Sequence, residues 1–185
     1  MAHRVCPWWM GYLLAGPIRR LLENPKKMLS GFVEPDMTVL DVGCAMGFFT
    51  LPTARMVGPQ GRVIAVDLQE KMLNSLRRRA RRAGLLERME LRTCSDTDLG
   101  VDDLTNQVDL ALAFHVVHEV PDASGFFAQL YPAIKPGGRL LLAEPEGHIS
   151  TDEYAVTEAT AQSAGFASLE QPEFRRSRAT LFEKR

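Results

Sequence analysis

Cysteine is scarce in this chain. Three occur in 185 residues, Cys6, Cys44 and Cys94, odd in number, far apart and without a C-x-x-C pair. That argues against a disulfide framework and against a zinc site. Long apolar runs are missing too. The best candidate, Val5 to Ile18, is interrupted by Pro7 and Pro17 and is too short to span a bilayer as a helix. It also lacks an A-x-A cleavage site, so neither a signal peptide nor a membrane span is expected, and the cytoplasm is the default location. An excess of one charge is absent as well: 22 Lys+Arg stand against 23 Asp+Glu, a formal net charge of -1. This excludes the single-sign electrostatic footprint of a dedicated nucleic-acid binder. Internal repeats and low-complexity linkers are not found.

What is present is an ordinary globular composition, 45% hydrophobic and 24% charged, in a chain long enough to bury roughly 70% of its unfolded surface. The balanced charge conceals an asymmetry. Residues 1–92 hold 15 Lys+Arg and 8 Asp+Glu, and residues 93–185 hold 7 and 15. Apolar strands and amphipathic helices alternate along the chain. Strands are expected at 38–42, 62–67, 89–93, 108–114 and 139–143. Helices are expected at 48–57, 69–83, 123–134 and 151–164, and a helix from Pro17 through Met28 and Leu29 that Pro25 breaks or kinks. Lys135-Pro136-Gly137-Gly138 reads as a turn. Two short strands, 166–170 and 179–183, leave no room for a crossover helix and should pair as a hairpin. The expected fold is therefore α/β and Rossmann-like: a mostly parallel sheet of seven strands with a C-terminal antiparallel hairpin and helices on both faces.

In such sheets ligands bind beyond the carboxyl ends of the strands, near the topological switch point. The first strand ends Leu40-Asp41-Val42-Gly43-Cys44-Ala45-Met46-Gly47 and runs directly into a helix. Gly43 and Gly47 permit a tight turn and close backbone approach, and the helix start offers free N–H donors. Alone, such a loop is equally a strand-to-helix turn. The second strand, however, ends in Asp67, about 20 residues on, where a carboxylate can accept both hydroxyls of a ribose diol. Asp67 alone could instead cap the helix ahead of Leu68-Gln69-Glu70. The loop does not fit the G-x-G-x-x-G of a nicotinamide site; it fits D-x-G-x-x-x-G.

On these motifs the chain resembles the S-adenosylmethionine-dependent methyltransferases of the Rossmann-like class, and most closely their ubiquinone/menaquinone-biosynthesis-like, small-molecule branches. The likeness runs from about residue 30 onward. It includes Asp41, the glycine loop, Asp67, the fourth-strand segment Val108 to His115, the stretch Leu130 to Arg139, and the final hairpin. Ala45 stands where the family has its middle glycine. The resemblance implies S-adenosylmethionine as cofactor, with Asp41, Gly43, Cys44, Ala45 and Gly47 at the methionine part and Asp67 on the ribose. Leu68 would flank adenine, Cys94 and Ser95 would border its ring, and Phe114 and His115 would close the site. Where the family often has Gly-Asp, this chain has Cys94-Ser95-Asp96, which leaves open whether Ser95 or Asp96 accepts from the adenine amino group. It further implies residues 31–185 as the cofactor-binding methyltransferase domain and residues 1–30 as an N-terminal helical or lid segment, with Trp8, Trp9 and Tyr12 as candidate substrate contacts.

A second cluster, His115-Val116-Val117-His118-Glu119, is joined by Glu144-Pro145-Glu146 and His148 after the fifth strand. Methyl transfer from a sulfonium relies largely on positioning and needs no obligatory nucleophile. An acceptor that must lose a proton still needs a base, for which His118 and Glu119 are suitable types, with Glu144 toward the substrate. Capping of the following helix is the plain alternative, and no metal site is expected. The arginines from Arg77 to Arg82 read as the solvated face of a helix whose buried stripe is Met72, Leu73, Leu76, Ala80 and Ala83. The expectation is a methyltransferase acting on a small molecule. An RNA or protein methyltransferase using the arginine helix, and a cofactor-binding protein without turnover, are the alternatives.

Overall fold

A computed structural model describes residues 23–185. Trp8, Trp9 and Tyr12, and the helix expected from Pro17, lie outside the described residues. The first described helix is α1 (Pro25–Leu29), which Pro25 opens. Asn24 caps the helix by accepting from the Lys27 N–H at 3.2 Å, and proline takes the first turn, where its missing N–H costs nothing.

The seven strands form a mixed sheet, and the chain divides into two compact units at Cys94/Ser95. In the first unit, β1 (Thr38–Val42), β2 (Arg62–Asp67) and β3 (Met89–Thr93) are parallel in the order β3-β2-β1, with Thr38 opposite Arg62 and Val63 opposite Met89. After their first residues, β1 and β2 are buried throughout, as unbroken apolar runs in a sheet covered on both faces should be. Helix α2 (Thr50–Met56) follows β1, and α3 (Glu70–Arg82) follows β2. Met72, Leu73, Leu76 and Ala80 form the buried stripe of α3 as expected, but its fifth member is Ser75; Ala83 lies at the exposed C-terminal cap.

In the second unit the order is β4-β5-β7-β6. Strand β4 (Val108–Phe114) runs parallel to β5 (Ile134–Pro145), and β7 (Ser177–Lys184) is antiparallel both to β5 and to β6 (Phe166–Glu170), so the expected hairpin forms. Helix α4 (Ala123–Ala133) is capped by Asp122, and α5 (Thr151–Ser163) opens on a capping box between Ser150 and Glu153. The expected turn at 135–138 is instead an interruption within β5. Val108 pairs with Ile134 and Leu110 with Arg139, so Asp109 alone faces four residues, and the Lys135 Nζ reaches its Oδ1 at 2.5 Å. Phe127, Tyr131, Phe166 and Phe182 form an aromatic chain that packs α4 on the hairpin. Among the described residues, no helix is long and apolar enough to cross a membrane.

Candidate functional site

In the first unit the chemistry gathers where β1 and β2 end. Gly43 and Cys44 donate their N–H groups to the Val66 carbonyl at 2.9 and 3.1 Å, which folds the loop back onto β2. Gly47 has φ +83°, and a Cβ there would stand 2.3 Å from Leu76 Cδ1 in the buried stripe of α3. Only glycine lets the loop lie this close to the helix. Ala45 also takes a left-handed backbone, φ 45°, at the place where the resembled family has glycine. The Arg79 guanidinium donates to the Met46 carbonyl, so one of the arginines expected to face solvent holds the loop instead.

Both carboxylates are buried. Asp41 accepts the Thr50 hydroxyl on Oδ2 at 2.5 Å. Burial pushes its carboxyl up to about 7, against the lowering effect of the Thr50 bond, and the nearby Asp67 charge adds to the rise. Asp67 is only 8% exposed. Its Oδ2 accepts from the Ala45 N–H and its Oδ1 from the Gln69 N–H, each at 2.8 Å. Burial raises this carboxyl too, and the two backbone bonds oppose the rise. The helix-cap alternative is met only in part: Asp67 bonds Gln69, but the cap residue of α3 is Gln69 itself, without a side-chain cap. Leu68 is 40% exposed, one of three exposed large hydrophobic side chains among the described residues. Cys44 is buried, and its thiol is held well above the usual range by burial and by the neighbouring acidic groups; Cys94 is partly buried, with its N–H on the Asp67 carbonyl at 3.1 Å.

In the second unit the Ser95 hydroxyl accepts from the N–H groups of Asp98 and Thr97 at 2.9 and 3.3 Å, closing its own loop, while Asp96 is exposed. Past the end of β4, His115 has a left-handed backbone, φ 57°, with its N–H on the Ala143 carbonyl at 2.7 Å and Nε2 at 2.9 Å from the Ser177 hydroxyl. The Phe114 ring packs on Phe174 with centroids 6.1 Å apart. A short 3-10 turn, Val117–Glu119, then presents His118, whose Nδ1 lies 2.5 Å from Glu144 Oε2. The other oxygen of Glu144 accepts the Val117 N–H at 2.7 Å. Burial pulls the His118 imidazole down, but the Glu144 hydrogen bond and charge, with Glu119 beyond, outweigh it, so His118 sits above the ordinary histidine value.

This corrects the expectation for Glu144. Its side chain is at the end of β5 as foreseen, but the residue is 0% exposed and both oxygens are spent on Val117 and His118, so it stands behind the histidine and not toward a substrate. Glu119 Oε1 is 3.9 Å from His118 Nε2. Among the described residues, no group of three or more His, Cys, Asp or Glu is arranged to hold a metal ion. Thr50, Arg79, Phe174 and Ser177 had no sequence signal. Arg79, Phe174 and Ser177 act across more than thirty residues of chain, whereas Thr50 meets Asp41 nine residues earlier, at the start of the helix after the loop, where its hydroxyl could have been anticipated.

A family model described as a methyltransferase domain matches residues 33–175. Among curated proteins, the chain is 31% identical over 148 residues to the ubiquinone/menaquinone biosynthesis C-methyltransferase UbiE of a Marinomonas species, covering 78% of this chain and 58% of that protein. It is 30% identical over 126 residues to an uncharacterized 37.1 kDa protein in transposon Tn4556 of Streptomyces fradiae, covering 68% and 35%. The chain thus spans less than two thirds of the length of these relatives. Among solved structures, a SAM-dependent methyltransferase from Aquifex aeolicus superposes with a TM-score of 0.85 at 24% identity, over 97% of this chain and 98% of that one.

Proposed function

Because the chain belongs to the methyltransferase-domain family and has the fold of S-adenosylmethionine-dependent methyltransferases, we propose that it binds S-adenosylmethionine and methylates a small-molecule acceptor. The observation that carries this reading is the state of Asp67. A carboxylate has about four acceptor sites, and here one on each oxygen is taken by a loop N–H, Ala45 on Oδ2 and Gln69 on Oδ1. One site per oxygen is left at the end of β2, which matches the two donors of a ribose diol. The same two bonds fasten Asp67 to the loop, so the diol and the loop backbone would be read together. The exposed face of Leu68 offers apolar surface for adenine, the Gly43–Gly47 backbone serves the methionine part beside Asp41, and Cys94 borders the ring. Because the Ser95 hydroxyl already receives two N–H groups, Asp96 is the better acceptor for the adenine amino group.

When bound, the cofactor supplies an electrophilic methyl group on a sulfonium; the residues above hold and orient it, and excluding water from them strengthens each charge interaction. The acceptor chemistry falls to His118. The UbiE relative is named as a C-methyltransferase of ubiquinone/menaquinone biosynthesis, and a small acceptor also suits a basic helix in which Arg79 serves the loop and Arg77 bonds Asn74. The described cysteines are free thiols, as a reducing cytoplasm would keep them. Titration calorimetry with S-adenosylmethionine and with NAD tests the cofactor. Binding of the first and not the second is expected; the reverse refutes the reading. Release of S-adenosylhomocysteine on adding small-molecule extract, and not on adding RNA, tests the acceptor class.

A further inference from the structure

The geometry points to Glu144 as a positioning residue that holds His118 as the Nδ1–H tautomer, so that Nε2 is a base for an acceptor whose nucleophile is a hydroxyl oxygen. This rests on the methyltransferase reading above. The support lies in burial and two hydrogen bonds. Glu144 is fully buried, and its Oε1 is fixed by the Val117 N–H at 2.7 Å, one residue before the histidine. Its Oε2 therefore has a set direction, and His118 Nδ1 meets it at 2.5 Å. An ionised carboxylate only accepts, so the shared proton belongs to Nδ1, and the lone pair of the neutral ring is on Nε2. Among the described residues no hydrogen bond ends on Nε2, and the side chain is 18% exposed. Among the described residues, the other titratable groups facing the ring are Glu119, with Oε1 at 3.9 Å from Nε2, and His148, with ring centroid at 5.7 Å. Two carboxylates favour the proton that Nε2 would take up.

A base acting as the new bond forms discriminates among acceptors. A neutral amine attacks through a lone pair it already has and an aromatic carbon through a π pair of its ring, and each loses its proton afterwards. A thiol ionises at about 8.5, close to neutrality, whereas a phenol-like hydroxyl ionises at about 10 and an aliphatic one higher still. Only the hydroxyl needs its proton removed in step with attack. In that step the acceptor O–H bond breaks and its proton forms a bond to His118 Nε2. The electron pair stays on oxygen, which bonds the methyl carbon as the carbon–sulfur bond breaks with its pair passing to sulfur. His118 is left as imidazolium against Glu144 and returns the proton to water.

Nitrogen-15 NMR of the histidine rings across pH, in the cofactor-free protein, reads the positioning directly. The wild type should show His118 as the Nδ1–H tautomer, titrating above ordinary histidine. In Glu144→Gln, which keeps the shape and removes the charge, the midpoint should fall and the Nδ1–H preference should be lost, and Glu144→Asp should restore part of both. An Nε2–H tautomer in the wild type, or an unchanged midpoint in a folded Glu144→Gln, overturns the inference. Turnover is then read as S-adenosylhomocysteine release with catechol, benzyl alcohol, benzylamine and benzyl mercaptan as probes. Release with a hydroxyl probe, falling about 100-fold or more in His118→Gln with cofactor binding intact, is expected. Release confined to the amine or thiol, or no release while S-adenosylmethionine still binds, overturns the hydroxyl assignment alone. Failure to bind S-adenosylmethionine overturns the methyltransferase reading itself.

Discussion

Replacing Asp41 with Asn should make the cofactor-free protein less sensitive to pH, by an amount that follows from where the carboxyl sits. Asp41 is the penultimate residue of β1, buried among neighbours that are themselves buried, and its carboxyl rises from 3.8 to about 7, chiefly because burial disfavours the charged form. In the unfolded chain it ionises near its ordinary value. Between the two values the folded state therefore holds a proton that the unfolded state has released, so stability falls as pH rises through this window and levels off above about 7. The interval from 3.8 to about 7, at about 1.4 kcal/mol per pH unit, is worth about 4 kcal/mol. Asparagine has the protonated acid's shape, can still accept the Thr50 hydroxyl, and carries no charge at any pH. Urea unfolding of both proteins at a series of pH values from 5 to 8 should show the stability of Asp41→Asn relative to wild type growing by roughly 1.4 kcal/mol per unit up to about 7, then staying flat. Asp67, which burial also raises, is present in both proteins and largely cancels in the comparison. A difference that does not change with pH would refute the reasoning.

Three further outcomes follow from the loop. Asp67→Asn should weaken S-adenosylmethionine binding by roughly 1.5–3 kcal/mol, through loss of charge-assisted bonds, and calorimetry on the folded variant checks it; unchanged affinity removes Asp67 from the site. Gly47→Ala forces a Cβ against the buried Leu76 in a left-handed backbone and should cost about 1–3 kcal/mol in urea unfolding. Ala45→Gly relieves the left-handed strain at φ 45° but adds freedom to the unfolded chain, so the net should be a stabilisation of no more than about 1 kcal/mol with cofactor affinity little changed.

The parts legible in the sequence are those set by local pattern. β1 to β4 begin and end where the strand patterns do, and the hairpin follows because the chain between β6 and β7 is too short for anything else. Pro25 marks a boundary in the sequence, and Asn24, capping the same turn, makes it the first residue of a helix. Elsewhere the structure departs from the local pattern for specific reasons. Lys135 to Gly138 has turn composition, but Val108 holds Ile134 in register, so these residues stay within β5 as an extra stretch opposite Asp109. By its place after the fifth strand, Glu144 reads as a residue toward the substrate. Its burial depends on the Val117 N–H and His118, which lie 27 and 26 residues earlier and come within reach only once β4 and β5 pair. Ser177 meets His115 across 62 residues, for which no local pattern exists.

The three buried carboxylates differ in their donors, and the difference separates their roles. Asp67 has a backbone N–H on each oxygen, from Ala45 and Gln69. Glu144 has one backbone N–H and an imidazole that can carry a positive charge, so its ionised form is matched inside its own unit. Asp41 has a single neutral hydroxyl from Thr50, and its carboxyl is the one pushed to about 7. A buried charge that its own protein leaves undercompensated is stabilised most by a cation arriving from outside. In the proposed reaction the entering ligand carries positive charge on its sulfonium and ammonium groups, and the departing product has lost the sulfonium. Asp41 near its midpoint at neutral pH would then favour the charged ligand over the spent one. The same preference ties cofactor affinity to pH: it should rise, by at most tenfold per unit, up to about 7 in the wild type and not in Asp41→Asn.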